Sequence, residues 1–351
     1  MAKGKNRVIP NYNPNPPKKM STPVASFLDK MEDGREYQSI VGLQNVTVDL
    51  GSEMKRALKD ISDIRKRPLI CYLANVLNPV VGSATSISID NSDDTPFLEM
   101  LKTISKDNDS IDVMLVTPGG SAEIVDYFVK KLRSRFQRIA FILPYMAMSA
   151  GTIFCMSGDE LIMDDAAFFG PIDPQVPSRN GLFVPAQSLM TLISTIQKRG
   201  QEQVVKGLRP DWTDIQILNN LDPKEIGNAI NASKLSTDLV TNYLKTYKFR
   251  YWTNHSDGRP VTDEDRANRA HEIATQLCDN SLWLSHSSRI TRDMASKICK
   301  LKIEYPEDTY GLSRAIKRFW ALMQLTFENN SIAKVYATGD YFLFRNAIIK
   351  K

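Results

Sequence analysis

Four short apolar runs recur through the first half of the chain: Pro68 to Ala74, Ile111 to Val116, Ile139 to Leu143 and Glu160 to Met163. They are too short for helices and lack the alternation of a strand with one wet face. That pattern predicts strands buried on both sides. Helical periodicity fills the intervals. Met54 to Lys66 is amphipathic and highly charged, and Phe97 to Ile104 follows a start signal at Asp93-Asp94-Thr95. Ala122 to Phe136 places Ile124, Val125, Phe128, Val129 and Leu132 on one face, and Ala150 to Ser157 is a small-residue helix. Apolar strands alternating with helices predict an α/β fold with a mostly parallel sheet covered on both faces. Beyond Pro185 the pattern turns helical, over 186–199, 233–249, 264–278, 292–299 and 312–326, and ends in a hairpin around Thr338-Gly339-Asp340. The expected organisation is a tail over 1–21, a core over 22–185, and a mainly helical region over 186–351 that completes the fold.

Charge changes this picture at one place. Lys3, Lys5, Arg7, Lys18 and Lys19 lie in the first 21 residues without an acid, so they account for the whole net charge of +5. Rich in Asn and Pro, that segment is expected to be a solvated basic tail able to dock an acidic protein partner. Nucleic acid is not expected, because no recognition motif stands behind the tail. Cys71, Cys155, Cys278 and Cys299 have no CxxC spacing and sit mostly among apolar residues, which fits buried thiols in a reducing compartment. Ile139 to Met156 is nearly uncharged, but Pro144 and a Ser-Ala-Gly cluster interrupt it where a strand would hand over to a helix. The reading is a soluble, cytoplasmic protein without a signal peptide or membrane span. Metal-ligand spacing, a Walker loop and a strand-linked GxGxxG are all missing from the sequence, so no cofactor is implied.

The candidate chemistry lies in three motifs in chain order: Thr117-Pro118-Gly119-Gly120, Met148-Ser149-Ala150-Gly151-Thr152, and Gly170-Pro171-Ile172-Asp173-Pro174-Gln175. Ser149 follows a strand and opens a helix, among residues small enough to admit a substrate backbone. The Gly-Gly turn ends the neighbouring strand on the same sheet edge, where ligand sites form in open α/β sheets. Taken alone, Ser149 reads more readily as a helix cap, a commoner role for serine than nucleophile.

The order of these motifs resembles the serine dehydrogenase proteinase family of the Clp/crotonase superfamily, near signal peptide peptidase A and the Clp protease proteolytic subunit. Arg65, Arg67 to Ile70, Ile89 to Asp94, Ile111-Asp112, Trp283 to His286, Ile290, Pro306-Glu307 and Tyr310 extend the resemblance over roughly residues 60–312. The resemblance implies a Clp/crotonase-like fold of repeated ββα units with a helical C-terminal region. It implies a homo-oligomer whose sites lie near subunit contacts, and a serine peptidase acting on peptide or protein without its own ATPase. Ser149 matches the nucleophile. The amides of Gly120 and Ala150, with Gly119 permitting the turn, match the oxyanion hole.

The base that activates the serine stays open at the level of sequence. Clp relatives carry a histidine in the loop corresponding to Ala166 to Gln175, which has none here, and signal-peptide-peptidase relatives use a lysine further on. Lys198 lies in a suitable interval but reads as the exposed end of a helix. His286 follows an apolar stretch and is the best of three histidines, with a structural role at a domain junction as its competitor. Asp173 is able either to orient a base or simply to form a turn between prolines. Two other functions compete: a scaffold that kept the serine and lost its base, and a crotonase-type enzyme stabilising a thioester enolate.

Overall fold

The computed structural model describes residues 27–41, 49–177 and 183–347, and the basic tail lies outside them. The strands are β1 (Leu69–Ala74), β2 (Ser110–Val116), β3 (Arg138–Leu143), β4 (Met146–Ala147), β5 (Glu160–Met163), β6 (Phe168–Phe169), β7 (Gln175–Pro177), β8 (Phe183–Pro185), β9 (Ile290–Thr291), β10 (Ile332–Thr338) and β11 (Phe342–Asn346). The helices are α1 (Glu36–Val41), α2 (Leu50–Arg65), α3 (Pro79–Ala84), α4 (Asp94–Thr103), α5 (Ala122–Arg133), α6 (Ala150–Met156), α7 (Ala186–Val205), α8 (Trp212–Asn220), α9 (Pro223–Tyr243), α10 (Asp263–Cys278), α11 (Asn280–Trp283), α12 (Arg292–Lys297) and α13 (Leu312–Asn329).

The main sheet has the order β11-β10-β1-β2-β3-β5. β1, β2, β3 and β5 are parallel, and the C-terminal hairpin joins antiparallel through β10 against β1. Because side chains alternate across a strand, each buried run feeds two cores. Ile70, Tyr72, Val113, Leu115, Phe141 and Leu161 face one core with Phe97, Phe128, Phe154, Val240 and Ile273 from α4, α5, α6, α9 and α10. Cys71, Leu73, Met114, Ile142 and Ile162 face the other, with Met54, Leu58, Ile61, Ile316, Phe319 and Leu322 from α2 and α13. The four apolar runs are thus the four parallel strands, and the absence of alternation follows from cover on both faces.

Helix boundaries differ from expectation where polar residues hide the pattern. α9 begins at Pro223, behind an Asp222 cap that accepts from the Lys224 amide, rather than at residue 233. α8 carries Trp212, Ile215 and Leu218 at helical spacing, but all three are exposed and its single buried residue is Asp214. A second, three-stranded sheet of order β4-β6-β9 was also not foreseen, since strands of two residues carry no periodicity. It stands beyond the C-terminal ends of β2 and β3, on the edge where the glycine turn and Ser149 fall.

Candidate active site

Thr117 continues the line of β2 and pairs with the β4 strand: its amide donates to the Met146 carbonyl at 3.0 Å, and its carbonyl accepts from the Met148 amide at 3.0 Å. The chain then turns through Gly119 (φ +106°) and Gly120 (φ +142°), conformations that L side chains rarely adopt. A β-carbon on Gly119 would stand 2.8 Å from both the Met148 carbonyl oxygen and the Ser149 β-carbon. The turn is therefore pressed against the serine. Ile89 braces it from the other side, its amide on the Gly119 carbonyl at 2.7 Å and its carbonyl accepting from Ser121 at 2.9 Å. In such a parallel bridge the middle residue, Gly120, turns its own N–H away from Ile89.

Ser149 has φ 50° and ψ −116° and stands at the N-cap of α6 without making a capping hydrogen bond. The cap explanation for this serine therefore fails. A serine forced to positive φ between a strand and a helix is a sharp, strained elbow that presents its hydroxyl. Ala150 opens α6, so its amide has no partner within the helix.

Asp173 is fully buried four residues beyond β6. One carboxylate oxygen lies 2.8 Å from His286 Nδ1. The other accepts from Asn280 Nδ2 at 3.2 Å and Gln175 Nε2 at 3.3 Å. A carboxylate only accepts, so Nδ1 is the donor in this pair, and the tautomer it selects has its lone pair on Nε2. Leu284 makes this meeting possible: it ends α11 in the left-handed region (φ 64°), its amide on the Asn280 carbonyl at 2.7 Å, and turns the chain back toward Asp173.

The small sheet brings Asp173 and His286 together and directs Ser149 toward the same end, with no hydrogen bond among the described residues joining Ser149 to either. β4 and β6 are parallel, so Ser149 and Asp173 leave from the same end, and β9 is antiparallel to β6, so His286 approaches that end before entering β9. Lys198 lies exposed on α7, and none of the hydrogen bonds or ion pairs of the described residues joins it to this group. His271 is exposed on α10, while His255 lies 3.4 Å from Asp265. Gln175 holds Asp173 from within the third motif, two residues away, whereas Asn280 reaches it across 107 residues, a pairing that no local pattern announces. Among the described residues, no three His, Cys, Asp or Glu side chains come together as a metal site would require.

Residues 44–207 match the model of the ClpP-like SDH-type serine proteinase family, a range that contains the three central motifs and Lys198 but not Asn280, Leu284 or His286. An uncharacterized protein of Methanocaldococcus jannaschii is 30% identical over 66% of this chain and 66% of its own length. A second from the same organism is 34% identical over 35% of this chain and 39% of its own. The chain thus spans just under two thirds of the first relative and about two fifths of the second. A solved membrane-bound stomatin-specific protease aligns over 62% of this chain and 74% of its own, at 14% identity and a TM-score of 0.34. Among the described residues, no helix is long and apolar enough to cross a membrane. Over residues 44–207 the chain is similar to the ClpP-like SDH-type serine proteinase family.

Proposed function

We propose that the protein hydrolyses peptide bonds with Ser149 as nucleophile, His286 as general base and Asp173 as the residue that orients it. In this reading His286 Nε2 takes the Ser149 proton as Oγ attacks the substrate carbonyl carbon. The amides of Gly120 and Ala150 receive the developing oxyanion, and the imidazolium returns its proton to the leaving amine. Water, activated by the same histidine, then releases the acyl group. Peptide or protein substrates follow from the family. The observation that carries the reading is the Asp173–His286 hydrogen bond, on the end of the small sheet to which β4 delivers Ser149. That pair supports His286 over the exposed Lys198 as base, and it weighs against the scaffold reading. A homo-oligomer remains part of the proposal.

Labelling with a fluorophosphonate tests it. Wild type is expected to label covalently, Ser149→Ala not at all, His286→Ala at least about a hundredfold more slowly, and Lys198→Ala at the wild-type rate. Undiminished labelling of His286→Ala would remove the histidine from the mechanism. A folded wild type that never labels would favour the scaffold.

A further inference from the structure

On the opposite edge of the main sheet, where β3 and β5 begin, lies a cavity of about 670 Å³. That volume suits a small molecule. Five cations enter its wall, Arg138, Lys248, Arg269, Lys300 and Lys302, together with the aromatic rings of Phe249, Tyr251 and Trp252. Three carboxylates also face it, and each is already engaged. Asp159 is held by Arg133 at 2.9 Å and Arg250 at 2.6 Å. Glu160 is held by Arg65 at 2.7 Å and Arg67 at 2.8 Å. Glu304 accepts from the Leu161 amide at 2.9 Å and meets Lys302 at 3.4 Å.

The cations are not matched in the same way. Among the described residues neither Arg138 nor Lys300 has a carboxylate within ion-pair distance, and Arg138 instead lies over the Tyr251 ring. Lys248 is 9% exposed, and its ammonium, enclosed beneath the cavity, has no hydrogen-bond partner. Burial pulls its pKa below the usual lysine range, against the opposing attraction of Glu304. Lys248 closes a π-helical turn, Leu244–Lys248, a widened geometry that recurs at functional sites. With the basic tail aside, the rest of the chain is neutral, so this surplus of cations around one concave surface is a local concentration of charge.

We propose that this cavity binds a small phosphate-bearing anion, with Arg138 and Lys300 at the anion, Lys248 supplying charge from below, and the Tyr251 and Trp252 rings flanking it. The site is separate from the Ser149 edge and does not depend on the proposed peptidase reading. Titration of the full-length protein with inorganic pyrophosphate at constant ionic strength tests it, read by Trp252 fluorescence and by thermal stability. Saturable quenching and stabilisation are expected in wild type and equally in Ser149→Ala. Trp252→Phe should lose the optical signal and keep the thermal one. Arg138→Gln with Lys300→Gln, both replaced where no internal ion pair is broken, should weaken binding by about tenfold or more. Lys248→Met should melt higher than wild type without pyrophosphate and respond less to it. The proposal is overturned by an absence of saturation below about 1 mM, by wild-type binding in the double variant, by an equal response to chloride, or by a lower melting point in Lys248→Met.

Discussion

A single β-carbon at position 120 would reach 2.2 Å from the Ile89 carbonyl oxygen and 2.5 Å from the Ile89 nitrogen, both backbone atoms that side-chain motion cannot relieve. The glycine lets the turn lie flush on Ile89 while its amide points away from that residue. Gly120→Ala therefore separates strain from chemistry when set beside Gly207→Ala, which has φ +70° but open space around it. Both variants should lose about 1 kcal/mol or more of stability to the positive φ. Only Gly120→Ala should also slow fluorophosphonate labelling, by roughly 10²–10³, as expected for a displaced oxyanion donor. Equal labelling in the two variants would mean that the Gly120 amide plays no part. Ser149 and Gly119 lie in short local motifs, and they were legible in the sequence through the family resemblance, since a serine between a strand and a helix by itself reads as a cap.

At the level of elements, legibility divides by sequence distance. The buried strands and amphipathic helices declare themselves through periodicity, but the partner of His286 does not. Asp173 and His286 are 113 residues apart and meet only because β9 pairs with β6 through two residues, too few to leave a pattern. The segment leading from β5 into β6 carries a second feature that only the fold reveals. Asp164 is buried, and burial first, then Asp165 beside it, push its pKa from 3.8 up to about 7 against the pull of Lys317. Below the unfolded value both states hold the proton and the residue contributes nothing. As pH rises toward 7 the unfolded chain ionises first, so the folded state loses stability through that window and bears the full penalty above it. Asp164→Asn should accordingly raise the melting temperature at pH 8, by the equivalent of roughly 2–4 kcal/mol, and change it little near pH 4. Denaturant melts of both proteins at the two pH values decide this. A variant less stable at pH 8 would show that the ionised carboxylate is needed there, through Lys317.

Across the whole molecule, the glycine turn is tied to the far end of the chain. Asp93 is fully buried and accepts from the Asp90 amide and the Tyr72 hydroxyl, each at 2.9 Å, and from the Tyr336 hydroxyl. Lys334, equally buried on β10, reaches Asp93 at 2.8 Å and the Ser88 carbonyl at 2.6 Å, while Arg345 on β11 lies 3.2 Å from the same carboxylate. These bonds fix residues 88–93, and Ile89 within that segment braces Gly119 and Gly120. A lysine in the otherwise apolar run Ile332-Ala-Lys-Val-Tyr-Ala was the one sequence trace of the arrangement, and its partner lies some 240 residues earlier. The C-terminal hairpin thus lies outside the matched family range yet holds the strap behind the proposed oxyanion hole. Removing Lys334 leaves the buried Asp93 carboxylate to the partly exposed Arg345 alone, so Lys334→Met should cost up to roughly 3–5 kcal/mol. Pairing it with Asp93→Asn removes the stranded charge and should recover part of that stability. The strap would still lack its tie to β10, so labelling of Ser149 should stay slow in the double variant at temperatures where it is folded. If stability and labelling instead return together, the network serves the core alone and the hairpin has no hold on the site.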